Sequence, residues 1–559
     1  MSARGRWHIM CDRSRVRRRS TLIFIFLIVG LVAFHNSFQA PFVFDDLRII
    51  LGNENIQSLW PPWAPFRGTS RPLVQWSLAV NFAISGSSVW SYHVLNLLIH
   101  VGAALALFAT LRLTLKRYGT GPLRDANEGL ALTIALCWML HPLQTESVTY
   151  VIQRGEAMMG LFCLLMLLCF ILSIDSAQQT RWQLLSLLCC LLGLMTKPVM
   201  LMAPFLVLVY DRTFVAQSLA AALRSRMRYY ALLAGSMALL PLILDGNKQD
   251  WITTVGSEVT GVTPLQYAAS QPAIILRYLR LTFWPDALCL DYGLRPVENN
   301  WVILGSSALI GFFLVLTVWA LKRRNVAGFA GAWFFLTLAP TSSFVPIADL
   351  AFEHRMYLAL AGVLSVALPC GYVLVKGILD RLDPIQSRKG LILGCVALLI
   401  GALLAGRTIL RNDDYGSEIA LWTSATTVSP NSARAQYNLG TALSRERREA
   451  EAINPFSKAI QIRPSYPEAH YNLGNVLHGL GRLPEAILSY RRALALTPDD
   501  WQIRNNLGVA MLKSGDPSSA EIEFEQALVL NPSCSSAHRN LAKLRQASEE
   551  TPSLAVPLP

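Results

Sequence analysis

Between residues 21 and 410 the chain alternates long apolar runs with short polar connections, and beyond 411 the apolar positions thin out to a helical spacing. Crossing a bilayer takes roughly 20 apolar residues in a helix. Runs near that length predict eleven spans, at about 21–35, 92–111, 129–141, 157–174, 181–196, 198–210, 229–245, 301–321, 326–341, 356–376 and 391–410. Two further stretches fit poorly. Residues 73–86 are short, and 268–284 carry Arg277 and Arg280 among apolar neighbours. Both suit helices lying in the membrane interface. The first run follows a basic segment but has no small-x-small cleavage site after it, so it reads as an uncleaved anchor. The expected fold is all-α: a multi-pass membrane body over 21–410 behind a basic N-terminus at 1–20, then a water-soluble helical domain.

That second domain is periodic. Pro430, Pro464, Pro498 and Pro532 recur every 34 residues, as do the aromatics Trp422, Phe456, Tyr490 and Phe524 and the alanines Ala425, Ala459, Ala493 and Ala527. So do Asn438-Leu-Gly440, Asn472-Leu-Gly474, Asn506-Leu-Gly508 and Asn540-Leu-Ala542. A 34-residue period of small and aromatic sites resembles the tetratricopeptide repeat, in which paired helices stack into a solenoid. Three repeats are expected within 411–547, with a leading helix at about 416–429, a closing helix at about 535–547 and a disordered tail at 548–559. Pro455 falls inside a predicted helix, where it should kink it or cost roughly 3 kcal/mol.

Composition supports the division. Of 559 residues 53% are hydrophobic and only 15% charged, and mean hydropathy is +0.38; soluble domains carry about 25% charge. The net charge of +13 is clustered. Seven arginines precede residue 20, and further clusters are Arg112/Lys116/Arg117/Arg124, Arg212/Arg224/Arg226/Arg228, Lys322/Arg323/Arg324 and Lys376/Arg381/Arg388/Lys389. With eleven spans and a cytoplasmic N-terminus, all of them fall on the cytoplasmic side, as the positive-inside rule requires. The charge is thus a topology signal with an attraction to anionic lipid, and nucleic acid is not an expected partner. Most of the ten cysteines lie within predicted spans, so no disulfide framework is implied.

The same topology puts four polar loops outside. The first holds Asp45-Asp46, Ser70-Arg-Pro-Leu73 and Tyr92-His-x-x-Asn96 with His100 beyond; the second runs from His141-Pro-Leu-Gln-Thr-Glu146 to Arg154-Gly-Glu156. The third is Thr196-Lys197-Pro198, and the fourth is Phe352-Glu-His-Arg-Met-Tyr357. Ionisable groups at a membrane are expensive and commonly serve a site. Taken alone, two adjacent aspartates also fit a solvated turn, Arg154 and Glu156 an interfacial ion pair, and Tyr357, His93, Asn96 and His100 helix-to-helix hydrogen bonding.

In that order and spacing the loop motifs are similar to those of the transmembrane and tetratricopeptide-repeat protein O-mannosyltransferases, a branch of the GT-C glycosyltransferases. The resemblance covers nearly the whole chain. It implies a GT-C-like body and an enzyme that moves a sugar, mannose or another hexose, from a polyprenyl- or dolichyl-phosphate carrier to serine or threonine of exported proteins. Asp45 or Asp46 is implied as the base, with Asp45 favoured. Departing phosphate needs held cations, for which Arg154, Lys197 and Arg355 are the candidates. His141, Glu146, Glu156, Glu353 and Tyr357 would orient them or the sugar. The family works without a metal, and none is expected here, although Asp45, Asp46 and Glu146 could supply hard oxygen ligands. No cofactor is expected beyond the lipid-linked donor.

Two departures stand out: the repeat array is short, and the third motif reads Thr-Lys-Pro where relatives have an acidic or polar residue after lysine. The ladder Asn438, Asn472, Asn506 and Asn540 resembles that of the nucleocytoplasmic O-GlcNAc transferases, which implies a groove for the acceptor polypeptide; bridging between neighbouring helices explains it equally well. The other readings are a transferase acting on a cell-envelope glycolipid or polysaccharide, and a non-catalytic scaffold. A bacterial inner membrane is the expected location, with the endoplasmic reticulum as the alternative.

Overall fold

The computed structural model describes residues 20–66, 68–216, 218–238, 261–382 and 386–550, and all the regular elements among them are helices. The basic N-terminus, the second half of the 229–245 span and the end of the tail fall outside the described residues. The chain divides into two compact units, one of 1–290 and 294–417, the other of 291–293 and 418–559.

The first unit is the membrane body. Its principal helices are α1 (Ser20–Gln39), α2 (Pro72–Ser85), α3 (Trp90–Tyr118), α4 (Asn127–Met139), α5 (Arg154–Ser173), α6 (Gln179–Leu194), α7 (Ala203–Tyr210), α8 (Met227–Met237), α9 (Pro264–Phe283), α10 (Asn300–Lys322), α11 (Val326–Leu338), α12 (Met356–Leu382) and α13 (Gln386–Asp413). Seven helical stretches have the length and hydropathy to cross a membrane: those built on α1, α3, α5, α7, α10, α12 and α13. The predicted spans at 129–141, 181–196 and 326–341 are also helices, of 13, 16 and 13 residues, and the 229–245 run is helical over Met227–Met237.

Burial separates helices that hydropathy cannot. The span through α5 is 72% buried, whereas that through α10 is 11% buried at nearly equal hydropathy. Small residues place α5 at the centre: a Cβ on Gly160 would run into the Tyr357 ring of α12. A helix that is apolar all round can face either protein or lipid, and here close-packing sites decide which.

The long helices have two distinct ends. At one, Arg117 bonds Ile171 O at 3.1 Å and pairs with Asp175 at 3.1 Å, Arg212 bonds Leu321 O, and Arg226 pairs with Asp211 at 3.0 Å. These join the C-terminal ends of α3, α5, α7 and α10 and gather the basic clusters. The polar loops gather at the opposite end, and two helices lie across it. Near the start of α9, Tyr267 donates its hydroxyl to Thr341 O at 2.7 Å; near its end, Thr282 O bonds His141 Nε2 at 2.9 Å. Both partners belong to loops of the polar end, so α9 runs along that face. Likewise Leu73 N–H of α2 bonds Met195 O at 3.1 Å and Asn81 bonds Ser91 O at 2.9 Å. The two interfacial stretches are therefore surface helices of the polar end.

The second unit is a helical stack: α14 (Glu418–Val428), the pairs α15 (Ala433–Arg445)/α16 (Glu449–Ile462), α17 (Pro467–Gly479)/α18 (Leu483–Leu496) and α19 (Trp501–Lys513)/α20 (Pro517–Leu530), and α21 (Ser535–Glu550). The register predicted from 34-residue spacing is its core: the four aromatics are at most 2% exposed and the four alanines fully buried. Gly440, Gly474 and Gly508 let the first helix of each pair sit against an aromatic ring of the second, since a Cβ would lie 2.6–2.8 Å from Phe456, Tyr490 and Phe524. Helix α16 continues through the buried Pro455. The proline carbonyls that end each unit are bonded six residues on, by Gln436 (3.3 Å), His470 (3.1 Å), Arg504 (2.9 Å) and His538 (3.0 Å). Three kinds of side chain at one repeat position do one capping job.

Candidate active site

The paired aspartates sit in a tight turn that gives them unlike surroundings. Asp46 N–H bonds Val43 O at 3.0 Å, Phe44 adopts a left-handed φ of 51°, and a single π-helical turn, Leu47–Leu51, follows. Left-handed backbone at a bulky residue is strained, and π-turns concentrate at functional sites. Asp46 is fully buried: one oxygen accepts Ile152 N–H at 2.8 Å and the other Val43 N–H at 3.3 Å. Burial pushes its carboxyl up to about 8 against the pull of those backbone bonds. Asp45 is half-buried, its backbone N–H donating to the Tyr150 hydroxyl at 3.1 Å. Of the two predicted catalytic carboxylates, Asp46 is thus a fastener for its loop, and Asp45 is the accessible one.

Lys197 ion-pairs with Glu156, its side chain 12% exposed. The turn bearing Lys197 is pressed against the start of α5, where a Cβ on Gly155 would meet Thr196 O at 3.6 Å, and against α2 through the Leu73–Met195 bond at 3.1 Å. That bond brings in Arg71. Burial lowers the Lys197 ammonium pKa, the charge of Glu156 opposes it, and the charge of Arg71 lowers it further. The Lys197 ammonium thus feels a second cation, Arg71, as well as the carboxylate it pairs with.

Beside it lies a second polar group. Glu146 grips His354 at two points, Oε1 to the ring Nδ1 at 2.7 Å and Oε2 to the backbone N–H at 2.9 Å. Burial raises the Glu146 carboxyl to about 7, while the His354 amide and the charges of Arg411, Lys197 and Arg355 lower it. Glu353 accepts Cys289 N–H at 2.6 Å and pairs with Arg411 at 3.4 Å; Arg411 also pairs with Asp414 at 2.7 Å.

Several predicted site residues are committed to packing instead. Arg154, fully buried, spends its guanidinium on Asn96 Oδ1 (2.6 Å), Ser77 Oγ (3.2 Å) and Tyr92 O (3.0 Å), so it staples α2, α3 and α5 and does not reach for a phosphate. Arg355 bonds Leu350 O (2.9 Å), Asp349 O (2.6 Å), Thr341 O (3.2 Å) and the Tyr267 hydroxyl (3.3 Å), which ties down the loop before α12. Of the three predicted phosphate cations, Lys197 is the one whose charge meets a carboxylate partner, Glu156. His141 bonds Thr282 O and Leu143 N–H. The Tyr357 hydroxyl bonds His100 Nδ1 at 2.9 Å inside the core, and Asn96 bonds Val148 O. Helix-to-helix bonding accounts for Tyr357, His100 and Asn96.

The asparagine ladder is likewise wired into its stack. Asn472 donates to the Tyr437 hydroxyl at 3.0 Å, Asn506 to the Tyr471 hydroxyl at 2.9 Å, and Asn540 to Asn505 Oδ1 at 3.1 Å, each reaching 35 residues back into the preceding repeat. Asn438, at the head of the array, has no such partner for its amide nitrogen among the described residues.

Four contributors were missed by sequence reasoning. Arg71 stood in a quoted motif without a role, and His354 occupied the variable place between Glu353 and Arg355. Arg411 looked like any basic residue closing an apolar run. Tyr150 carried no signal.

A family model described as TPR repeat matches residues 450–481 and 474–515. Protein O-mannosyl-transferase TMTC4 of Homo sapiens is 24% identical over 483 residues, covering 76% of this chain and 64% of that protein. Protein O-mannosyl-transferase TMTC3 of Mus musculus is 26% identical over 477 residues, covering 78% and 50%. The chain is similar to these protein O-mannosyl-transferases at that level of identity. It spans less than two thirds of the length of these curated relatives. Among solved structures, the archaeal oligosaccharyltransferase AglB from Archaeoglobus fulgidus matches at 13% identity and a TM-score of 0.39, covering 76% of this chain and 60% of that one.

Proposed function

We propose that this protein is a membrane glycosyltransferase that moves a hexose, with mannose as the first sugar to test, from a polyprenyl-phosphate carrier to serine or threonine hydroxyls of exported polypeptides. In this reading Asp45 takes the acceptor's proton, and Lys197 with Arg71 stabilises the carrier phosphate as it leaves. Glu156 holds Lys197 in place, Arg355 shapes the neighbouring loop, and the reaction needs no metal. The repeats present the acceptor. The polar end and the repeats face the extracytoplasmic side, of a bacterial inner membrane in the first instance, and the basic end faces the cytoplasm.

The observation that carries the proposal is the division of labour at Asp45-Asp46. One carboxylate is spent on holding a strained turn, so that its neighbour stands half-buried at the polar end of the helices, the end that also carries Lys197 on its Glu156 partner. A scaffold would have no use for that arrangement. The protein O-mannosyl-transferase names of the relatives support mannose as the sugar and protein as the acceptor.

The test is Asp45→Asn at matched membrane abundance, with intact masses of exported proteins read for added hexose. The expected loss is on the order of a hundredfold or more, the usual worth of a positioned base. Undiminished hexose addition would overturn the assignment.

A further inference from the structure

We propose that residues 59–66 of the first loop form a membrane-dipping anchor, seated in the headgroup layer of the leaflet at the polar end. Between Glu54 and Arg67 the chain carries no charge, and residues 59–66 read Leu-Trp-Pro-Pro-Trp-Ala-Pro-Phe. The two largest side chains face outward: Trp60 is 78% exposed and Trp63 57%, with Leu59 and Phe66 exposed beside them. Buried Ile56 and Pro65 root the segment on the body. A surface that meets only water rarely gathers so much contiguous apolar area. The backbone suits an apolar layer as well, where each unbonded N–H is costly. Pro61, Pro62 and Pro65 have no N–H. Trp60 N–H bonds Ser58 Oγ at 3.2 Å, Ala64 N–H bonds Pro61 O at 2.8 Å, and Phe66 N–H bonds Trp63 O at 3.1 Å.

Three neighbouring features identify the partner as lipid. The first is the outward stripe of the spanning helix α3, where Trp90, Val94 and Leu98 are exposed at i, i+4 and i+8 from its polar end downward. The second is α2, joined to α3 by the Asn81–Ser91 bond, which extends that apolar surface across the polar end. It has no charged residue, and Trp76, Ala83 and Ile84 are exposed along one of its faces. The loop starts against this helix, since Asn53 donates to Gln75 Oε1 at 3.3 Å, next to Trp76. The third is the distribution of exposed tryptophans among the described residues of the body. Trp60, Trp63, Trp76, Trp90, Trp284 and Trp301 belong to the polar end, and Trp319 to the basic end. Tryptophan collects where a bilayer meets water, its ring in the apolar layer and its N–H toward the headgroups. A platform for sugar or peptide would set polar side chains around the rings, and residues 59–66 offer none beyond the indoles themselves. The anchor holds the first loop, which also carries Asp45, at headgroup depth. It requires no transfer chemistry, so its failure leaves the assignment of Asp45 standing.

The experiment reads the fluorescence of the full chain in phosphatidylcholine nanodiscs, comparing wild type with the double variant W60F/W63F. Phenylalanine keeps an apolar ring at each position, and subtraction isolates the emission of Trp60 and Trp63. Two quenchers then locate it: phosphatidylcholine brominated near the headgroup end of its acyl chains, and iodide in the water. The difference emission should lie to the blue of tryptophan in water, lose most of its intensity in brominated discs, and respond little to iodide. Emission at the position of tryptophan in water, quenched by iodide and untouched by brominated lipid, overturns the anchor. Iodide quenching that is relieved by a serine- or threonine-containing peptide, with no response to brominated lipid, overturns it in favour of acceptor docking. If the double variant fails to assemble into discs, W60F and W63F singly repeat the subtraction with the same outcomes.

Discussion

The carboxylate of Asp46 accepts the backbone N–H of Ile152 at 2.8 Å, and through that bond the first loop is fastened to the segment that leads into the central helix α5. The consequence falls on Asp45. Because its neighbour is committed inward and Phe44 takes the left-handed turn, Asp45 keeps a fixed, half-buried position. Adjacent residues of one type thus separate into a buried, bonded member and a half-buried one.

That separation predicts opposite mutational profiles. Asp46→Ala strands a buried backbone N–H and should cost about 1–3 kcal/mol. Asp45→Ala should change stability by less than about 0.5 kcal/mol, as at a partly exposed site, while abolishing transfer. Thermal unfolding in detergent, run beside the hexose assay, checks both.

Asp46 also sets a pH dependence. An acid whose carboxyl is raised to about 8 on folding holds its proton more tightly in the folded than in the unfolded state. Its contribution therefore favours folding in acid and is lost as pH climbs from the unfolded value of about 3.9 through about 8. Asp46→Asn cannot ionise yet still accepts the Ile152 N–H. Its midpoint should fall less than that of wild type over this range, and equal slopes would show that Asp46 does not titrate as burial dictates.

Arg154 is predicted to matter for folding first. Arg154→Met removes all three donors of a fully buried guanidinium and leaves Asn96, Ser77 and Tyr92 O without it. A loss of about 3 kcal/mol or more is expected, read as a lower midpoint and a smaller monodisperse fraction. Lys197→Met strands the buried Glu156 carboxylate, so it too should lower the midpoint, but with a raised donor KM in the protein that remains folded. A stable, active Arg154→Met protein would return that arginine to the list of ligand candidates.

Periodicity made most of this fold legible. The repeats were readable because each unit satisfies the same packing problem, so Gly474 and Tyr490 must recur at fixed spacing. The helices of the body were readable from apolar run length, and the polar end from charge out of place. What run length does not contain is which side of an apolar helix meets protein, so the central position of α5 appeared only with the Gly160–Tyr357 contact. Side-chain roles were least legible. Arg154 and Lys197 are both cations at the polar end, and only the protein acceptors around each tell them apart, three for Arg154 and Glu156 for Lys197. His354 needed its partner, since Glu146 lies 208 residues away in the chain.

The repeat unit offers the last test, because two uses of one asparagine predict different failures. Asn506 donates to the Tyr471 hydroxyl at 2.9 Å and to Asn475 Oδ1 at 3.0 Å. If the ladder serves the stack, Asn506→Ala loses about 0.5–1.5 kcal/mol for a typical bond, and Tyr471→Phe loses a similar amount without being additive, since the two share one interaction. If the ladder also holds acceptor, Asn506→Ala lowers transfer to polypeptide at temperatures where the stack is fully folded, and Tyr471→Phe does not. Truncation after Ser417, at the boundary between the two units, then separates presentation from chemistry. Loss of polypeptide glycosylation with transfer to a short soluble peptide retained would assign the repeats to acceptor capture. Loss of both would place the repeat unit among the requirements of the reaction itself, and loss of neither would end the presentation model.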